Sequence, residues 1–340
     1  MSRLHLLVAT PFNTLLTVLC AGLLLALVPP ALDWLWLSAS FNATDAQGCR
    51  QAGGACWSFI AHKYRLILFG VYPYDEQWRP LLASVLLVAL VAFSCVRAFW
   101  RKWLALVWLV VLVLVGVLMW GGVFGLSWVE NRLWGGLPLT LVLAVLGVGL
   151  AFPLGVLLAL GRTSDMPAVR VLCITYIELI RGVPLISLLF MASVMLPLFL
   201  PEGVSIDKLL RAQLAIVLFV AAYIAETVRG GLQAVSPGQY AAADSLGMSY
   251  WQKMNNIILP QALGTVVGPL VGIFISLFKD TSLVVVIGVF DLTQAAKTAL
   301  ADAQWQGFST EAYLFIAAIY FVFCYAMSRY SRTLERRWQT

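Results

Sequence analysis

The sequence predicts an all-α integral membrane protein of about eight transmembrane helices. Hydrophobic residues make up 61% of the chain and charged residues 11%, with a mean hydropathy of +0.91, a balance far outside that of soluble domains. Apolar runs lie near 15–37, 80–97, 104–126, 137–160, 172–200, 210–230, 262–279 and 311–329. Each is long enough to cross about 30 Å of hydrocarbon, which takes roughly 20 helical residues. The run 281–292 is too short to span and reads as a re-entrant or surface segment.

The first run follows Arg3 and could serve as a cleaved signal peptide. It is longer than a typical signal core, ends in Pro29-Pro30 and Trp34-Leu35-Trp36, and lacks a small-x-small cleavage site, so an uncleaved span is expected. An even number of spans puts both termini on one side. With the termini inside, the inner segments carry Arg3, Arg97, Arg101, Lys102, Arg162, Arg170, Arg181, Arg229, Lys253, Arg329, Arg332, Arg336 and Arg337, thirteen of the 22 basic residues. Cytoplasmic loops favour Lys and Arg, so cytoplasmic termini are expected. This orientation accounts for the net charge of +6 without a nucleic acid partner.

The largest outer loop, 38–79, contains Cys49 and Cys56 in the stretch GCRQAGGACW. Gly53 and Gly54 would let so short a loop close, and a periplasm is oxidising, so a disulfide is expected; the alternative is two free thiols. Cys20, Cys95, Cys173 and Cys324 fall in apolar runs, where cysteine acts as a small packing residue. Catalytic chemistry is sparse. The histidines are His5 and His62, which support neither a histidine-rich metal site nor a histidine triad, and the chain has no Gly-x-x-x-x-Gly-Lys-Ser/Thr phosphate loop. Energy for any work must therefore come from a gradient or a partner.

Between the sixth and seventh runs the chain changes character. After Pro237-Gly238, residues Gln239 to Ser249 can form a short helix, with Ala241, Ala242, Ala243, Ser245 and Gly247 leaving its surface almost bare. Leu246, Met248 and Trp251 supply apolar knobs, Asp244 a charge, and Leu259-Pro260 is expected to halt this helix and start another. A docking helix and a solvated linker are both open readings; high alanine and low charge favour docking.

This segment resembles the EAA loop of binding-protein-dependent ABC importer permeases, in which Glu-Ala-Ala is followed after three residues by Gly, after nine by Ile, and then by x-Leu-Pro. Here Ala241-Ala242-Ala243, Gly247, Ile257 and Leu259-Pro260 keep that spacing, with Ala241 in place of the usual glutamate. The stretches GGLPLTLVLAVLGV (135–148), YIELIRGVPLI (176–186), YIAETVRGGLQAVSPGQ (223–239) and FKDTSLVVVIGVFDLT (278–293) are similar to polar amino acid permeases in the same order. ACWSFIAHKYRLILFGVYPYDEQWRP (55–80) is similar to the M-type permease subunit of general L-amino acid importers. The resemblance implies a type I importer core of five helices over 135–340 with a coupling loop at 232–260, preceded by a three-helix extension, 1–134. It also implies a homologous second permease subunit, two cytoplasmic ABC ATPase subunits that bind ATP and Mg, and a periplasmic amino-acid-binding protein, with no catalysis or cofactor in this chain.

Within those stretches, Glu178 and Arg181, and Glu226 and Arg229, form two Glu-x-x-Arg-Gly arrangements with charges three apart on one helical face. They are either interfacial ion pairs or a charge layer that closes the inner mouth, with Gly182-x-Pro184 and Gly230-Gly231 as pivots. Lys279, Asp280, Thr281 and Ser282 end the seventh run. They have the chemistry to bind a zwitterionic amino acid, or they end a helix; Thr140 is a weaker candidate for the path. Two other classes stay open. A gradient-driven secondary transporter would show inverted repeats and mid-membrane charges, and a membrane scaffold would explain a docking helix but not the polar motifs.

Overall fold

The computed structural model describes residues 10–101, 103–201 and 203–338. Arg3, His5, Lys102 and both chain ends, on which expectations above rest, lie outside the described residues, as do the side chains of Arg97 and Arg337. The described chain falls into two compact units, one of residues 10–64 with 298–315 and one of 65–297 with 316–338.

The helices follow local signals. Helix α1 (Pro11–Leu32) begins with the Thr10 hydroxyl accepting from the Asn13 amide and with proline in its first turn. None of its residues is buried within the chain. The short α2 (Ala46–Ala52), capped by Asp45, leads to α3 (Trp57–Phe69). Between them Cys49 and Cys56 are bonded as a disulfide, with Cα atoms 5.4 Å apart. Gly53 sits at φ 75°, and a methyl at Gly54 would collide with the backbone of Ser38 and Ala39, so this turn needs both glycines. The Cys56 amide donates to the buried Glu311 carboxylate at 2.9 Å, Lys63 pairs with Asp302, and Phe59 packs on Trp305 and Phe308.

The second unit contains α4 (Trp78–Ser94), α5 (Trp103–Trp120), α6 (Gly136–Arg162), α7 (Pro167–Arg181), α8 (Leu185–Phe190) and α9 (Lys208–Ala234). Arg79 of α4 is fully buried, and its guanidinium donates to the Leu118 and Ser127 carbonyls, fastening α4 to the end of α5. The core is the α6–α9 pair. A methyl at Gly155 would meet Ile224 at 2.6 Å and the Ala221 carbonyl at 2.9 Å, and Ala212, Ala215, Ala221, Ala222 and Ala225 are buried along α9. Small side chains let these backbones approach, as membrane interiors require when no water drives helices together.

Among the described residues, seven helical segments are long and apolar enough to cross a membrane: 11–37, 74–94, 103–120, 136–162, 208–234, 267–287 and 309–336. The apolar run expected as one span over 172–200 is instead two helices, α7 and the stretch Leu185–Phe199 that α8 begins, meeting at 102°. Pro184 accounts for the break: its own backbone is extended, at φ −61° and ψ 142°, and it has no amide to continue the ladder. Counting this bent pair gives eight spans. The stretch 281–287 is also not separate; it continues α13 (Val267–Asp280) as a tight helical turn that ends at Gly288, φ 68°.

Candidate functional site

The loop after α9 is built around a short helix, α10 (Pro237–Ser245), capped by the Ser236 hydroxyl. It ends four residues earlier than the sequence suggested, because Gly247 takes φ 68°, a left-handed value that stops a helix. A new helix α11 (Tyr250–Lys253) starts at a reciprocal Ser249–Gln252 capping box, and its Lys253 ammonium pairs with Asp244 at 2.5 Å. Leu259-Pro260 does not halt the chain. A wide π turn over Met254–Ile258 carries the backbone unbroken into α12 (Leu259–Thr265), where Pro260 occupies the first turn and needs no amide partner.

Ala243 is buried toward the body, while Ala241, Ala242, Asp244 and Gly247 face out. Leu246 is 77% exposed and Trp251 57%. The outer surface of the loop is thus apolar knobs on a thin backbone, with open space at Gly247. Leu259 is half-buried beneath it.

The charged residues converge, though only one of the two pairs their spacing suggested is formed. Glu226 and Arg229 do pair along α9, through two bonds of 2.9 and 2.6 Å. Glu178 and Arg181 instead reach to other helices. Glu178 accepts from Arg162 at 2.8 Å, and Arg181 lies 3.7 Å from Glu226 with its guanidinium 5.7 Å from the Tyr223 ring centre. Arg162 also lies 3.4 Å from Glu226. Three arginines therefore face two carboxylates where α6, α7 and α9 meet. Arg162 was not singled out from the sequence; its one signal is a lone charge closing a long apolar run.

Of the five polar residues proposed for a substrate path, two are buried and three are not. Thr140 is buried, its hydroxyl donating to the Gly136 carbonyl at 3.1 Å and accepting from the Leu292 amide at 3.2 Å. Thr281 is buried and donates to the Phe278 carbonyl at 2.7 Å. Lys279 is exposed, and Asp280 and Ser282 are half-buried. Asp291, which sequence reading passed over, is fully buried and caps α14 (Leu292–Leu300) by accepting from the Thr293 and Gln294 amides at 2.9 Å. Burial pushes its carboxyl above the usual aspartate range, against the lowering effect of those two amides.

Residues 151–340 match the family of binding-protein-dependent transport system inner membrane components. The chain belongs to that family. This permease is 50% identical to the inner membrane amino-acid ABC transporter permease protein YhdY of Escherichia coli K12, over 96% of its own length and 90% of that protein's. It is 39% identical to the glutamate/glutamine/aspartate/asparagine transport system permease protein BztC of Rhodobacter capsulatus, covering 96% and 91%. A solved amino acid ABC transporter crystallised with histidines is 36% identical and superposes with a TM-score of 0.52, over 58% of this permease and 90% of that chain. The permease is accordingly a membrane-embedded transport component with the type I importer fold.

Proposed function

We propose that the chain forms half of the translocation path of an ATP-driven, binding-protein-dependent importer of polar L-amino acids in a bacterial inner membrane, with both termini cytoplasmic. The observation that carries this reading is the exposed helix α10, with Leu246 and Trp251 presented beside an open Gly247, at the spacing of a coupling loop. The names of YhdY and BztC support amino acids as the substrate class. Both of those relatives match nearly the whole chain, whereas the probable glutamine permease GlnP of Bacillus subtilis covers 60% of it, which supports reading 1–134 as an extension to a core at 135–340.

In this reading a second homologous permease completes the path and two cytoplasmic ATPases hold ATP and Mg. A periplasmic binding protein delivers the amino acid. ATPase closure draws the coupling loops together, and α9, which ends where the loop begins, carries that movement to the charge cluster of Glu178, Arg181, Glu226 and Arg229 at the inner mouth. Partly exposed ion pairs suit such a gate, because they exchange partners at small cost. Thr140 and Thr281 act as internal struts of the path wall, and Lys279, Asp280 and Ser282 are the polar groups left open to it.

The test is the complex with its binding protein in liposomes. Amino acids should stimulate ATP hydrolysis and uptake together. Uptake that continues without ATP and stops when a proton gradient is collapsed would overturn the proposal.

A further inference from the structure

Arg162, the last residue of α6, reaches carboxylates on two other helices, Glu178 on α7 and Glu226 on α9. Neither carboxylate needs it for charge balance. Glu226 already has a two-bonded partner in Arg229 on its own helix, and the Glu178 side chain is 54% exposed, where water can solvate it. Nor does the packing of α7 depend on it. Cys173 of α7 fills the space beside Gly161, where a methyl would meet its sulfur at 2.5 Å, and the Tyr176 hydroxyl donates to the Leu218 carbonyl of α9 at 2.7 Å.

What Arg162 adds is register. It pins the inner end of α6 to α7 just before the 102° bend, and to α9 two turns before the coupling loop. We propose that Arg162 is a positioning residue that, beside the direct Arg181–Glu226 contact between α7 and α9, passes movement of the coupling loop to the α7–α8 bend; this rests on the gate reading of the charge cluster. When α9 shifts, Glu226 shifts with it. While Arg162 keeps both carboxylates, α7 and the bend at Pro184 follow, and if it gives up either one they stay. The Arg162 guanidinium meets both carboxylates through one nitrogen, Nη1, whereas an ammonium would attract them only as a point charge on a different stem.

The experiment compares Arg162→Gln, Arg162→Lys and Glu226→Gln in the full reconstituted complex, measuring assembly, ATP hydrolysis and amino acid uptake. Arg162→Gln should assemble in normal amount and hydrolyse ATP, while uptake per ATP falls about two- to thirtyfold, the range of substitutions that modulate coupling between sites. Arg162→Lys should recover part of the loss, and Glu226→Gln should lose coupling as well. Unchanged uptake per ATP in Arg162→Gln with a loss in Glu226→Gln overturns the role of Arg162 and leaves the gate reading standing. No loss in either overturns both. Failure of both Arg162 variants to assemble makes Arg162 a folding residue and also overturns the proposal.

Discussion

The indole of Trp338 covers Gly264, so closely that a methyl there would come within 2.5 Å of the ring. Four residues earlier stands Pro260 of the loop after α9, and one turn later Gly268 lies under Glu335. The end of α15 (Ser309–Trp338) is thus seated on the helices that leave the loop. Gly264→Ala should displace the ring and lower stability by about 1–3 kcal/mol, the usual effect of overpacking. In a Trp338→Ala background the same change should cost little, because the clash is gone. Thermal melts of the four proteins at a fixed scan rate check this; equal losses in both backgrounds would mean that the contact is not made.

Gly247 tests the loop. Its left-handed φ of 68° disfavours side chains, yet the chain leaves open space there for a partner. Gly247→Asn, which tolerates that conformation, should retain the ATPase. Gly247→Glu places an unpaired charge in the docking surface and should cost several kcal/mol of docking. The expected result is normal membrane levels, ATPase lost on purification and no uptake. Ala241→Glu, at an exposed position, should be neutral or tighten the complex slightly. Full ATPase retention in Gly247→Glu would show that the helix does not dock.

The Cys49–Cys56 pair closes a short loop whose two cysteines are both buried. Mass spectrometry of protein prepared without reductant should find the two peptides joined, and Cys49→Ser should destabilise the protein by about 2–3 kcal/mol, as loop-closure entropy for so short a ring suggests. Two thiols open to alkylation in the unreduced, unfolded protein would refute the link.

Single cysteines in a cysteine-free background map the orientation. Those at Gln47 and Ala301 should react with an impermeant maleimide from outside, and those at Ser164 and Gln239 should not. Outside labelling of Gln239 would place the coupling loop in the periplasm and remove the basis of the proposed function.

Asp291 gives a pH-dependent prediction. Burial raises its folded pKa above the unfolded value, so its charged form is disfavoured in the native state. Wild type should therefore be most stable relative to Asp291→Asn below the unfolded aspartate pKa of about 4, lose ground as pH rises through the folded value, and level off above it. Asp291→Ala should also lose both amide bonds to α14, a cost of about 1 kcal/mol that adds to the same pH-dependent difference from wild type. Melting temperatures across pH check the sign, and a stability gap over Asp291→Asn that widens with pH would contradict it.

The regular parts of this fold were legible in the sequence because hydropathy and proline write them directly. The long apolar runs appear as helices, and the spacing from Ala241 to Pro260 marks the loop. The bend before Leu185 was hidden, since hydropathy is blind to backbone direction, although Pro184 signalled it. Leu259-Pro260 was misread because proline in a first helical turn fits a restart and a continuation equally. The charge cluster was half legible. Spacing along α9 pairs Glu226 with Arg229, but no local pattern brings Arg162 to Glu226, which only the crossing of α6, α7 and α9 does.

The bend at Pro184 also has a consequence for the surrounding lipid. Beyond it, Leu185–Phe199 offers fifteen residues, which as helix rise about 22 Å, short of the roughly 30 Å of a hydrocarbon layer. Leu198 and Phe199 at its far end are each 78% exposed. Acyl chains against this segment must thin to meet it, or a neighbouring subunit must cover the deficit. This hydrophobic mismatch makes the segment sensitive to bilayer thickness, and the permease's activity should vary with the acyl length of the lipids around it.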